Sequence, residues 1–140
     1  AMCTSFKSEL LGGLHDLDTD SLKLALIKPS NSGTYGAATT NYSNVTDNSD
    51  EATGTNYSAG GQALDSPSIT VSGTTAMVDF ADEVFSNVST SADGCIIYNT
   101  ANSNSAICVI DFGGTVTAVA GDLTIEFPAV GASTTIIRIA

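Results

Sequence analysis

The stretch Gly94–Phe112, GCIIYNTANSNSAICVIDF, sets two apolar runs, CIIY and AICVI, on either side of a linker of Asn, Ser, Thr and Ala. A strand with one wet face alternates apolar and polar residues, whereas a strand covered on both faces reads as a continuous apolar run. The two runs therefore predict a hairpin that turns at Asn102-Ser103 and lies at the centre of a β-sandwich. Its apolarity is structural and implies no reaction.

The same logic finds further strands on either side of this hairpin. Downstream, Asp122–Phe127 alternates Leu123, Ile125 and Phe127, and Thr134–Ile139 ends the chain; upstream lie Ser86–Ser91, Ala76–Phe80 and Ser68–Val71. Ser21–Ile27 alternates Leu22, Leu24 and Leu26 with Lys23 and Ala25. Turn residues fall at Gly73, Asp93-Gly94, Gly113-Gly114, Gly121 and Gly131. Short strands at this spacing predict a mainly β fold, an antiparallel sandwich or jelly-roll-like domain.

Two segments depart from the strand pattern. Thr4–Leu17 carries Phe6, Leu10, Leu11 and Leu14 on one helical stripe, with Thr4 or Ser5 as cap and Gly12-Gly13 weakening its second half. His15 then falls at the helix end, where a capping or surface role is expected. Residues 30–61 form a long polar arm with three isolated tyrosines, Tyr35, Tyr42 and Tyr57. Excursions of this length inside a domain usually serve function or contact. Residues 1–140 make one domain, with the main strand region over 68–139.

Composition agrees. The chain has 140 residues, 42% hydrophobic and only 14% charged, with 13 Gly and no Trp, which is a strand-and-turn mixture. That length suffices for one core without staples. Fifteen acidic against four basic side chains give a net charge of −11. Such a surface repels phosphate backbones and anionic lipid, so neither nucleic acid nor membrane is an expected partner. No apolar stretch reaches the length of a membrane span, and the residues after Met2 lack the basic and apolar regions of a signal peptide, so synthesis in a reducing cytoplasm is expected.

Candidate chemistry is sparse. Cys3, Cys95 and Cys108 form no CxxC and no cluster with His15, the one histidine, so zinc is poorly supported; Cys95 and Cys108 are expected as buried free thiols. In HDLDTD, Asp16, Asp18 and Asp20 resemble the start of a calcium loop, because hard cations want several carboxylate oxygens on a short flexible stretch. However, no Gly follows Asp20 and Ile27 holds the twelfth position, where Glu is needed. A solvated turn is the expected reading, with no metal and no cofactor. Asp79, Asp82 and Glu83 offer carboxylates for a glycosidase-type pair, but spacing alone does not place two across a sugar cleft. No serine has a G-x-S-x-G setting with a histidine, and no Gly pair opens a helix to cradle phosphate. The chain is not expected to be an enzyme; a small hydrolase is the remote alternative. Its apolar strands, including Ile136, Ile137 and Ile139, point to self-association as a dimer or trimer.

The order FKSELLGGLHDLDTDSLKLALIKPS, TGTNYSAGGQAL, SGTTAMVDF, GCIIYNT and TTIIRIA resembles a group of small structural proteins of tailed bacteriophages along nearly the whole chain. The resemblance implies a virion protein made in the host cytoplasm: a capsid decoration, or cement, protein bound to the major capsid protein. The alternative within that setting is a tail- or head-fibre-associated binding module that contacts the host surface. Tyr35, Tyr42 and Tyr57, with Ile136, Ile137 and Ile139, are the expected interface residues.

Overall fold

A computed structural model describes residues 1–140. In chain order the elements are α1 (Thr4–Leu11), β1 (Leu22–Ile27), α2 (Ser43–Thr46), β2 (Gln62–Ala63), β3 (Ser68–Ser72), β4 (Thr75–Asp79), β5 (Glu83–Asn99), a 3-10 turn (Thr100–Asn102), β6 (Ser105–Ile125) and β7 (Ile137–Ile139). The mainly β expectation is borne out. Two antiparallel sheets form, a larger one in the order β2-β1-β5-β6 and a smaller one in the order β3-β4-β7. A single apolar core joins them: Val78 and Ile137 of the small sheet belong to the same buried cluster as Leu24, Ile96 and Ile107 of the large one. The fold is therefore sandwich-like. No helix is long and apolar enough to cross a membrane.

The quoted hairpin sits where its apolarity requires. β1 pairs with β5 on one side, Leu24 opposite Ile97 and Leu26 opposite Cys95, and β6 pairs on the other, Ile96 opposite Val109. Every residue from Gly94 to Asn99 is buried. The chain reverses through the 3-10 turn and the left-handed Ser103 and Asn104.

The strands on either side differ from the expected division. Ser86–Ser91 and Gly94–Asn99 are one 17-residue strand, and Ala106–Phe112 continues without reversal through Gly113-Gly114 and Gly121 to Ile125. The residue types that mark turns mark bulges here. The β5–β6 register shifts between Phe85 and Val88, Val88 and Thr90, Ala92 and Gly94, and Ile97 and Tyr98. A bulge bends a strand while keeping it in the ladder. At Gly94 a Cβ would stand 2.4 Å from the carbonyl oxygen of Ile110, so this glycine admits close strand approach instead of a turn. The last strand is also shorter than expected, Ile137–Ile139 in place of Thr134–Ile139.

α1 ends at Leu11, six residues before the expected Leu17. Gly13 takes φ +75°, its N–H donates to the Leu10 carbonyl and the Leu14 N–H to the Glu9 carbonyl. These two bonds are the Schellman arrangement, which stops a helix and turns the chain out. Leu11 and Leu14, expected on the buried stripe, are consequently 91% and 55% exposed. The N-cap position is Cys3, and no side chain caps it.

Candidate interaction surfaces

The polar arm folds back on the body. Ile27 bridges to Glu51, Thr55 to Ser89 and Asn41 to Ser105. Its anchor is Asp50, wholly buried, whose carboxylate accepts from the N–H groups of Ser32 and Gly33 and the phenol of Tyr35 at 2.5 Å, with Lys28 Nζ 3.3 Å away. Burial works against the charged form, yet the donors outweigh it and hold Asp50 well below the usual carboxylate range.

Neighbouring Glu51 gathers the other two arm tyrosines. Its Oε2 accepts from Tyr42 at 2.5 Å, and its Oε1 from Tyr57 at 2.9 Å and from the Gly60 N–H at 2.6 Å. Tyr42 stacks on Tyr98 with ring centroids 4.4 Å apart, and the Tyr57 oxygen also accepts the Leu26 N–H. Tyr35, Tyr42 and Tyr57 are thus half-buried, with hydroxyls turned toward Asp50 and Glu51 inside the chain. What the arm presents outward is mostly Ser, Thr and Asn.

His15 is not at a helix end on the surface. Its side chain is fully buried, edge-on to Phe6, with Nε2 2.7 Å from Glu9 Oε2 and Nδ1 3.0 Å from Asn99 Nδ2. Asn99 Oδ1 accepts the Ala101 N–H, so its amide nitrogen faces His15 and makes Nδ1 the acceptor and Nε2 the donor. The same nitrogen donates to Asp20 Oδ2 at 2.6 Å. This chain of bonds ties α1 to the turn end of β5. Asp16 Oδ1 accepts from the Asp18 and Thr19 N–H groups, and Asp20 Oδ2 from the Asp16 N–H. Asp16 and Asp20 therefore close a self-bonded turn, while Asp18 contributes its backbone.

Of the other acidic group, Asp79 ends β4 with its Oδ1 buried and without a hydrogen-bond partner. Asp82 accepts the Phe127 N–H at 2.7 Å, and Glu83 is buried, its carboxyl raised by desolvation and by Asp65. Cys95 and Cys108 do not face one another: Cys95 pairs with Ile110 and Cys108 with Ile97, and all three cysteines are buried and free.

Two apolar surfaces face outward. Between the far half of β6 and the segment before β7, the side chains of Phe112, Val116, Leu123, Ile125, Phe127 and Ile136 line a groove of about 390 Å³. A volume of this size accommodates apolar side chains of a partner. The second surface is the small sheet. Pairing sets Ile69, Val78 and Ile137 in one row and Val71, Ala76 and Ile139 in the next, all on one face. Val78 and Ile137 enter the core, whereas Ile69, Val71 and Ile139 are 52%, 71% and 55% exposed. The three expected isoleucines thus separate: Ile136 lines the groove, Ile137 is core, and Ile139 is on the exposed sheet face. Sequence reading missed Ile69 and Val71. Their signal, the alternation in SITVS, was visible as a strand but does not say that the strand is an edge.

Comparison with protein-family models, with curated proteins and with solved structures gives no match to the chain.

Proposed function

We propose that the chain is a structural subunit of a bacteriophage virion, a decoration or cement protein that binds the major capsid protein on the head. The observation that carries this reading is the groove beside β6: a concave apolar surface, rimmed by Glu126, on a chain whose net charge is −11. Apolar surface of this kind on a protein of large net negative charge serves contact with another protein. The likeness of the sequence to phage structural proteins supplies the identity of the assembly. The protein is made in the host cytoplasm and resides on the virion.

The role requires no chemistry. A subunit that binds only the assembled shell stabilises it by mass action, by about 2.7 kcal/mol when its free concentration is a hundredfold above the dissociation constant. Copy number in purified particles tests the proposal. A decoration protein is present in a simple ratio to the major capsid protein. A handful of copies per particle instead fits the fibre-associated module, and none at all removes the virion reading.

A further inference from the structure

The four sheet edges differ in how they are protected. β2 has two residues, β7 has three and carries Arg138, and β6 is bulged and carries Asp111 and Asp122. Natural edges are shielded in just these ways, by brevity, charge and bulges. β3 has none of them. Its five residues, Ser-Ile-Thr-Val-Ser, are uncharged, all exposed, and in unbroken register with β4.

The hairpin geometry fixes which backbone groups are free. Ser72 and Thr75 close the two-residue loop Gly73-Thr74, so 72–75, 70–77 and 68–79 are the hydrogen-bonded pairs. Ile69 and Val71 therefore point N–H and C=O away from β4, toward the open edge of the sheet. Their side chains are the exposed apolar ones.

We propose that this edge pairs with the same edge of a second copy, antiparallel about a twofold axis through Thr70. In that register Ile69 opposes Val71 of the second copy and Val71 opposes its Ile69. Each is a hydrogen-bonded pair, so all four outward groups on each β3 are satisfied. No other register centred on this strand does so symmetrically. The two small sheets become one six-stranded sheet, in the order β7-β4-β3 and then β3-β4-β7 of the second copy. Its apolar rows run on across the axis, because directly opposed residues share a face. The strand's self-complementarity makes a second copy the occupant, since an isologous interface needs one patch to match itself. The absence of charge on β3 lets two chains of −11 meet there without placing like charges in direct opposition. The pairing goes beyond the proposed virion role and is independent of it.

The test uses the purified full chain. Sedimentation should give twice the 14.2 kDa chain mass at high concentration, more completely in salt, which screens the repulsion between copies. Val71→Asp, at an exposed position, should keep the circular dichroism of the fold and raise the dissociation constant at least about tenfold. Thr70→Cys adds a register check. At the axis it faces itself in a non-hydrogen-bonded pair with Cα atoms about 4.5 Å apart, within disulfide range. Mild oxidation should link it into a covalent dimer, and the native cysteines are buried and give no background. Ser72→Cys, opposed to Ser68 of the second copy, should link far more slowly. A mass of one chain up to millimolar concentration overturns the proposal. So does a dimer that survives Val71→Asp, or one in which Ser72→Cys links as readily as Thr70→Cys.

Discussion

Tyr35 donates its phenol to Asp50 Oδ2 at 2.5 Å, which ties the first turn of the polar arm to a residue whose own carbonyl accepts the Lys28 N–H just past β1. Asp50→Ala leaves the Ser32 and Gly33 N–H groups and the Tyr35 hydroxyl without their acceptor. An unsatisfied buried group costs about 1–3 kcal/mol, so a loss of about 3 kcal/mol is expected for Asp50→Ala and about 1 kcal/mol for Tyr35→Phe, read from denaturant midpoints.

Asp50 also sets the acid limit of the fold. Its folded value lies below the unfolded value of about 3.9, so its contribution is complete above that pH and is lost as pH falls further toward the folded value. The wild-type chain should lose stability below about pH 4 more steeply than Asp50→Ala. Parallel curves would show that the carboxylate network is not the acid-sensitive element.

The four tyrosines predict the alkaline limit. Burial raises all of them, with Glu51 adding to Tyr42, Tyr57 and Tyr98 and Asp50 to Tyr35; Tyr98 is pushed to about 12. A phenol raised in the fold stabilises it below the unfolded value of about 10 and ceases to do so as pH rises past it. Phenolate absorbance should therefore show little ionisation near pH 10 and then a joint rise with unfolding. A normal titration of even two tyrosines in the folded chain would contradict the packing of the arm.

The thiols give a third check. Burial raises Cys3 to about 11, Cys108 to about 12, and Cys95 well above its ordinary value. The thiolate is the reactive form, so a disulfide reagent near pH 8 should label all three only at the rate of unfolding. A fast stoichiometric phase from the native protein would contradict their burial.

The sequence made the centre of the fold legible and the edges much less so. CIIY and AICVI identified a doubly covered hairpin because burial on both faces removes alternation, a local signal. Gly113-Gly114 and Asp93-Gly94 misled because the glycine that permits a turn equally permits a bulge, and only the partner strand decides which. At Gly94 that partner is the Ile110 carbonyl. His15 was misplaced for a different reason: its burial depends on Asn99, 84 residues away, and on a Schellman stop that takes it off the helix. The outward apolar positions are split between Ile136, Ile139, Ile69 and Val71. Which of these faces water depends on sheet order, and no periodicity contains that.

In the proposed role, the groove beside β6 is the surface that meets the major capsid protein. The most direct measurement adds purified protein to heads that lack it and follows both bound protein and the temperature at which the heads release DNA. The wild-type chain should bind to saturation and raise that temperature. Val116→Asp, at a position 43% exposed and lining the groove, should keep the fold and lose at least about tenfold in affinity. Wild-type protein that fails to bind, or binds without any gain in heat resistance, contradicts the decoration role, and equal binding by Val116→Asp contradicts the assignment of the groove.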